Sequence, residues 1–239
     1  MIDPAITKPA GQDKVSPATL QVDVIADLIC PWSYLGKRRL DDALTRVLGP
    51  VLVSWYPFQL NPDMPASGMD FDEYLRAKFG EREMIEPGLQ QLAAAGRAVG
   101  IDFRFDRIRR VPNTLNAHRL MKLAEEQGAD TTGLAESILR AFFTDGLDVS
   151  EHDVLLALAA RAGLVPKDVD AALEDDLSKQ LVLSQEAQVR KGGVSGVPDF
   201  LVNKRLFVMG AQSTEILLNV FDRAMFGAES DLEVSPTLH

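Results

Sequence analysis

In Leu20-Gln21-Val22-Asp23-Val24-Ile25-Ala26-Asp27-Leu28-Ile29-Cys30-Pro31-Trp32-Ser33, apolar and polar residues alternate before the pattern breaks at a cysteine. Alternation with period two places Leu20, Val22, Val24 and Ala26 on one face of a strand and Gln21, Asp23 and Asp27 on the other. Proline suits the first turn of a helix, where its missing N–H would have had no partner, so Pro31 predicts a helix start with Cys30 at or beside the N-cap. Downstream, Leu40, Leu44, Val47 and Leu48 recur at helical spacing, and Gly49-Pro50 stops that helix. Val51-Leu52-Val53-Ser54-Trp55-Tyr56 reads as a second strand. The crossover between the two strands is long enough to make them parallel.

Beyond Pro57 strand character is lost until about Gly192. Apolar residues at helical period predict five to seven helices there, with Asp102–Phe105 the one extended candidate. Strand pattern returns in Phe200–Val202 and Leu206–Met209 around the polar turn Asn203-Lys204-Arg205, a hairpin, and a last amphipathic helix uses Ile216, Leu217, Val220, Phe221 and Ala224. Neither end has enough strands to close a core alone. The reading is therefore one α/β domain, residues 20–60 plus 186–227, interrupted by a helical insertion at 61–185, with flexible tails at 1–19 and 228–239.

Composition narrows the function classes. The chain has 239 residues and a formal charge of −10, which argues against a nucleic-acid partner, because each neutralised phosphate needs a cationic side chain. No apolar run reaches the roughly 20 residues of a membrane helix, and the first twenty residues lack the apolar stretch of a secretory signal, so no membrane partner and a cytoplasmic location are expected. One cysteine excludes a disulfide within the chain, and three histidines at unrelated spacings offer no metal site.

Two segments carry chemistry. At a helix N-terminus, unpaired N–H groups and the helix dipole favour a thiolate, so Cys30 is expected to ionise below the roughly 8.5 of a free thiol. The Ser33 hydroxyl, donating toward the sulfur, is expected to lower it further. A lone cysteine is otherwise a small packing residue. Gly192-Gly193-Val194-Ser195-Gly196-Val197-Pro198 leads into the hairpin; a proline entering a strand, with a cis bond, would leave the backbone of Val197 free to pair with an extended ligand. His118 could stabilise a thiolate or shuttle a proton, or simply pack; Asn113 is a ligand contact or a helix cap. Gln212 and Ser213 open the last helix, whose N–H groups suit a carboxylate or are capped by Ser213 itself.

Taken together, Cys30-Pro31-Trp32-Ser33-Tyr34-Leu35-Gly36-Lys37, Pro57-Phe58-Gln59-Leu60-Asn61-Pro62, Pro112-Asn113-Thr114 with Ala117-His118-Arg119-Leu120, Ala141-Phe142-Phe143-Thr144, and Gly196-Val197-Pro198 with Gly210-Ala211-Gln212 resemble the DsbA family of thioredoxin-fold oxidoreductases, the FrnE-like branch most closely. The likeness runs from about Val22 to Gly227. It implies a thioredoxin-like fold interrupted by a helical insertion, with Val197-Pro198 as a cis-proline loop facing Cys30. The family's second cysteine is Ser33 here, which excludes a stand-alone dithiol cycle. The same region is similar to kappa-class glutathione transferases and 2-hydroxychromene-2-carboxylate isomerases, which carry serine where Cys30 stands and usually an acidic residue where Gln212 stands.

The function expected from this resemblance is thiol–disulfide exchange through a monothiol site and a mixed disulfide at Cys30. A glutathione transferase or isomerase is the first alternative, a redox-inactive peptide-binding module the second. Cys30, Ser33 and His118 are the expected catalytic residues, and Pro31, Trp32, Asn113, Val197, Pro198, Gln212 and Ser213 the substrate contacts. No tightly bound cofactor is expected. Glutathione is a candidate co-substrate, a small-molecule or protein thiol or disulfide the partner, and a homodimer a candidate assembly.

Overall fold

The structure, a computed structural model, describes residues 19–227. The tail expected at 1–19 thus lies outside the described residues except for Thr19, and the tail at 228–239 lies outside them entirely. β1 (Leu20–Ala26) pairs in parallel with β2 (Val51–Pro57), Leu20 opposite Val51 through Ala26 opposite Pro57, with α1 (Pro31–Leu44) as the crossover. The helix ends four residues short of the apolar run read from the sequence. The Thr45 N–H bonds to the carbonyl of Asp41, and Leu48 is left 88% exposed outside the core.

The chain then runs through β3 (Met69–Asp70), α2 (Phe71–Phe79), α3 (Arg82–Ala98), β4 (Arg110–Val111), α4 (Leu115–Glu126), α5 (Thr131–Phe143), α6 (His152–Arg161), α7 (Pro166–Glu174) and α8 (Asp176–Lys191). It returns to the sheet as β5 (Asp199–Val202) and β6 (Leu206–Met209) and closes with α9 (Thr214–Phe226). The main sheet has the order β2-β1-β5-β6, with β5 antiparallel to both its neighbours. Between the paired residues Val202 and Leu206, the turn Asn203-Lys204-Arg205 is closed by the Arg205 N–H bonding to the Val202 carbonyl at 3.0 Å, with Asn203 and Lys204 at positive φ, 48° and 55°. Seven helices fall between β2 and β5, the upper end of the expected range.

Two features of the middle segment depart from its reading as helices with one extended candidate at Asp102–Phe105. Met69–Asp70 and Arg110–Val111 form a second, antiparallel sheet of two residues per strand. It is too short to show periodicity, and it serves to tie the start of α2 to the chain before α4. Asp102–Phe105 makes no ladder and leads into a 3-10 turn at Phe105–Arg107, its phenylalanines stacked on each other and packed edge-on to Phe143. The sequence boundary at 185/186 also falls inside α8, which packs on β2.

Two apolar clusters meet at the β1–α1 junction. One face of the main sheet, Leu20, Val22, Val24, Ala26, Phe200, Val202 and Val208, packs against Leu40 and Ala43 of α1 and Leu217 and Phe221 of α9. The larger cluster fills the helical segment and receives Leu28, Ile29, Tyr34 and Leu35 from the junction. A charged clasp fixes α1 to α5. The buried Lys37 Nζ lies 2.6 Å from Asp41 and 3.0 Å from Glu136, and Tyr34 Oη donates to Glu136 at 2.7 Å. Cys30 therefore sits on the seam between the two clusters, with both sides held.

Candidate active site

Cys30 is the N-cap of α1, with β-region backbone (φ −89°, ψ 118°) and Pro31 following as the sequence predicts. Its sulfur does not cap the helix. It points to the neighbouring loop, where the Cys30 thiol lies 3.6 Å from the carbonyl oxygen of Val197, a long contact for which S–H is the donor. The Val197–Pro198 peptide bond is cis. Backbone bonds from Gly210 N–H to the Pro198 carbonyl (2.8 Å) and to Asp199 Oδ1 (3.1 Å) hold this loop to the end of β6. The Val197 carbonyl is thus already occupied by the thiol, not free as the sequence reading had it.

Gly36 makes this approach possible. It lies on α1 one turn beyond Trp32, and a Cβ there would stand 2.8 Å from Pro198 Cγ and 3.2 Å from Phe200 Cζ. Only a residue without a side chain lets the helix and the proline loop come this close.

Burial decides the electrostatics. Cys30 is 3% exposed, and desolvation pushes its thiol up to about 11. The Ser33 hydroxyl and the N–H groups of Ser33 and Trp32 pull it down but do not outweigh the burial, and the charge of Asp27 pushes the same way as burial. This corrects the expectation of a lowered pKa. The favourable groups foreseen are present, but removing the sulfur from water costs more than a helix terminus supplies.

The other expected residues divide into those near the thiol and those held elsewhere. Ser33 is 1% exposed, and its Oγ has no conventional hydrogen-bond partner. Trp32, by contrast, is 51% exposed beside a buried sulfur. His118, buried on α4, brings its Nε2 to 3.5 Å from Asp27 Oδ1. Asn113 spends both polar ends on structure, accepting from Leu115 N–H (2.9 Å) and donating to the Met64 carbonyl (2.7 Å). Gln212 donates to the Met209 carbonyl at 2.7 Å, and Ser213 Oγ caps α9 through Ile216 N–H at 3.4 Å.

Asp27 is the residue the sequence reading placed wrongly. Alternation put it on the polar face of β1, but the strand ends at Ala26 and Asp27 turns inward, fully buried. Its Oδ2 accepts from Leu60 N–H at 2.7 Å, joining the ends of β1 and β2, and its backbone carbonyl accepts from Cys30 N–H at 3.2 Å. The signal available was an acidic residue at the end of an apolar strand, three positions before the cysteine. Among the described residues no group of three or more His, Cys, Asp or Glu could hold a metal, and no helix is long and apolar enough to cross a membrane.

Comparison with known proteins places this geometry. The chain is similar to a probable DsbA oxidoreductase from Streptomyces coelicolor, with 29% identity, 90% of this chain and 94% of that one covered, and a TM-score of 0.79. It is 23% identical to the uncharacterized protein YwbO of Bacillus subtilis over 87% of this chain and 96% of that one. It shares its fold with the cytosolic disulfide reductase DsbM of Pseudomonas aeruginosa, solved with GSH, at 20% identity, with 86% of this chain and 95% of that one covered and a TM-score of 0.59. The model of the DSBA-like thioredoxin domain matches residues 21–222, and this chain belongs to that family.

Proposed function

We propose that the protein is a DsbA/FrnE-like monothiol oxidoreductase that exchanges disulfides through Cys30. The observation that carries this reading is the Cys30 sulfur at 3.6 Å from the Val197 carbonyl. The single thiol meets a backbone edge suited to an extended thiol-bearing substrate, and a chain arriving there would take over the contact the S–H now makes. The ionised sulfur attacks one sulfur of a disulfide, forms an S–S bond to it and expels the other half as a thiolate. A thiol from outside then attacks the mixed disulfide and restores Cys30, since Ser33 cannot. Glutathione, which accompanies the fold-related DsbM, is the natural small thiol to try.

Incubation with oxidised glutathione followed by intact-mass measurement tests the reading. One glutathione is expected on Cys30, removable by excess thiol and absent from Cys30→Ser; a folded chain that never gains it overturns the proposal. The buried Ser33 hydroxyl beside the Cys30 thiol favours one other reading, a glutathione transferase or isomerase in which Ser33 orients the glutathione sulfur. Glutathione-dependent activity that survives in Cys30→Ser would select it.

A further inference from the structure

Behind the thiol lies a buried acid–base pair that the exchange chemistry above leaves unused. Asp27 is fully buried and His118 is 5% exposed, and the facing atoms, Asp27 Oδ1 and His118 Nε2, have no hydrogen-bond partner and stand 3.5 Å apart. Buried polar atoms are nearly always satisfied, so an unsatisfied pair of opposite potential charge next to a reactive atom invites a functional explanation. A second observation bears on His118 alone. The imidazole lines a cavity of about 20 Å³, bounded also by Trp55, Tyr56, Met121, Lys122 and Gln185. One water needs only about 10–15 Å³ of such space, and Lys122 and Gln185 are partly exposed, so a proton has a way in from solvent.

We propose that His118 sets the charge of Cys30 through Asp27: an imidazolium formed by a proton arriving through this cavity neutralises Asp27 and lets the thiol ionise, whereas a neutral imidazole leaves Asp27 unopposed and holds the thiol protonated. The coupling needs no contact between His118 and sulfur. Asp27 is three residues from Cys30 and bonded to its backbone N–H, and charges inside a protein act on one another with little screening. The charge of Asp27 already pushes the Cys30 pKa upward. Of the residues that line this cavity, the other ionisable ones are the Tyr56 phenol on β2 and the Lys122 ammonium on α4; the neighbouring Arg119 is turned to the carbonyls of Ala172 and Asp175 at the end of α7. On α8, Gln185 is uncharged and Glu186 is bonded to Gln59 and Arg190. His118 is thus a positioning residue for the reaction, acting through its neighbour.

This inference rests on Cys30 being the reacting thiol, and its test is separate from that of the exchange reading. The rate of Cys30 alkylation by iodoacetamide is measured against pH in the unsubstituted chain, in Asp27→Asn, in His118→Gln and in the double variant, with folding followed by circular dichroism. Asp27→Asn is expected to react about tenfold faster at pH 8, the effect of lowering a thiol pKa by about one unit. His118→Gln is expected to lose several-fold at the acid end of the profile and almost nothing at its alkaline end. The double variant is expected to match Asp27→Asn, because His118 has nothing left to act through. A His118→Gln loss that is uniform with pH, a further loss in the double variant, or a thiol that stays unmodified in every chain would overturn the proposal. If Asp27→Asn does not fold, the pH dependence of the His118→Gln loss decides alone. Alkylation that shifts as described in a chain that takes no glutathione would sink the exchange reading and leave this coupling standing.

Discussion

Two buried polar clusters lie on the helical side of the sheet, and they are built in opposite ways. Around Glu186 every acceptor is used: Oε1 takes Gln59 N–H at 2.9 Å, Oε2 takes the Gln59 side chain at 2.7 Å, and Arg190 bonds Oε1 while its guanidinium lies 4.0 Å from the Phe58 ring centre. Around Cys30, Asp27 Oδ1 and His118 Nε2 are buried without a hydrogen-bond partner, and the buried Ser33 hydroxyl acts only on the thiol. A satisfied network holds α8 to the chain after β2 and resists change. An unsatisfied one gives up stability and retains groups whose charge can still change. The contrast separates structural from chemical polar residues without reference to which residue types they are.

The largest expected effect is on the satisfied side. Glu186→Ala strands Gln59 and Arg190, and a loss of roughly 2–4 kcal/mol in urea unfolding is expected, with Cys30 alkylation of the folded fraction unchanged. A change in alkylation would mean that the two clusters are one.

Next comes the alkaline limb of stability. Because the folded Cys30 pKa, about 11, lies above that of an unfolded thiol, the contribution is fully present below about pH 8.5 and is lost as pH rises through 11. Unfolding measured between pH 8 and 11 should show a loss of the order of 2–3 kcal/mol that Cys30→Ala lacks. Equal slopes in the two chains would place the thiol in water.

How much of this was legible in the sequence depends on the range of the interaction. Local rules placed the strand Leu20–Ala26, the Pro31 helix start and the hairpin turn at Asn203-Lys204-Arg205, because strand alternation, a missing N–H and turn geometry are properties of neighbouring residues. The same rules overran α1 to Leu48 and could not see a two-residue ladder whose strands are joined only by tertiary contact. They misread Asp27, which leaves the strand where its alternation still seemed to hold, and the direction of the Cys30 shift. That shift comes chiefly from burial, and the loop that meets the sulfur, at Val197, lies 167 residues away in the sequence.

The smallest effect concerns the residue after the cis-proline. Burial raises the Asp199 carboxyl to about 6, so its contribution to stability is present below the ordinary carboxyl range and is lost as pH rises through 6. Asp199→Asn keeps an acceptor for Gly210 N–H and removes the ionisation. Thermal unfolding should show it a few degrees more stable at pH 8 and no different at pH 4. A gain at both pH values would point to packing instead of charge.

Gly36 gives the site a mechanical character. With less than one methyl group of clearance between α1 and Pro198, the helix and the loop work like two faces of a fitted joint whose spacing fixes where the sulfur lies. A shim at this position, even a single carbon, would wedge the joint apart and change what Cys30 can reach without touching it.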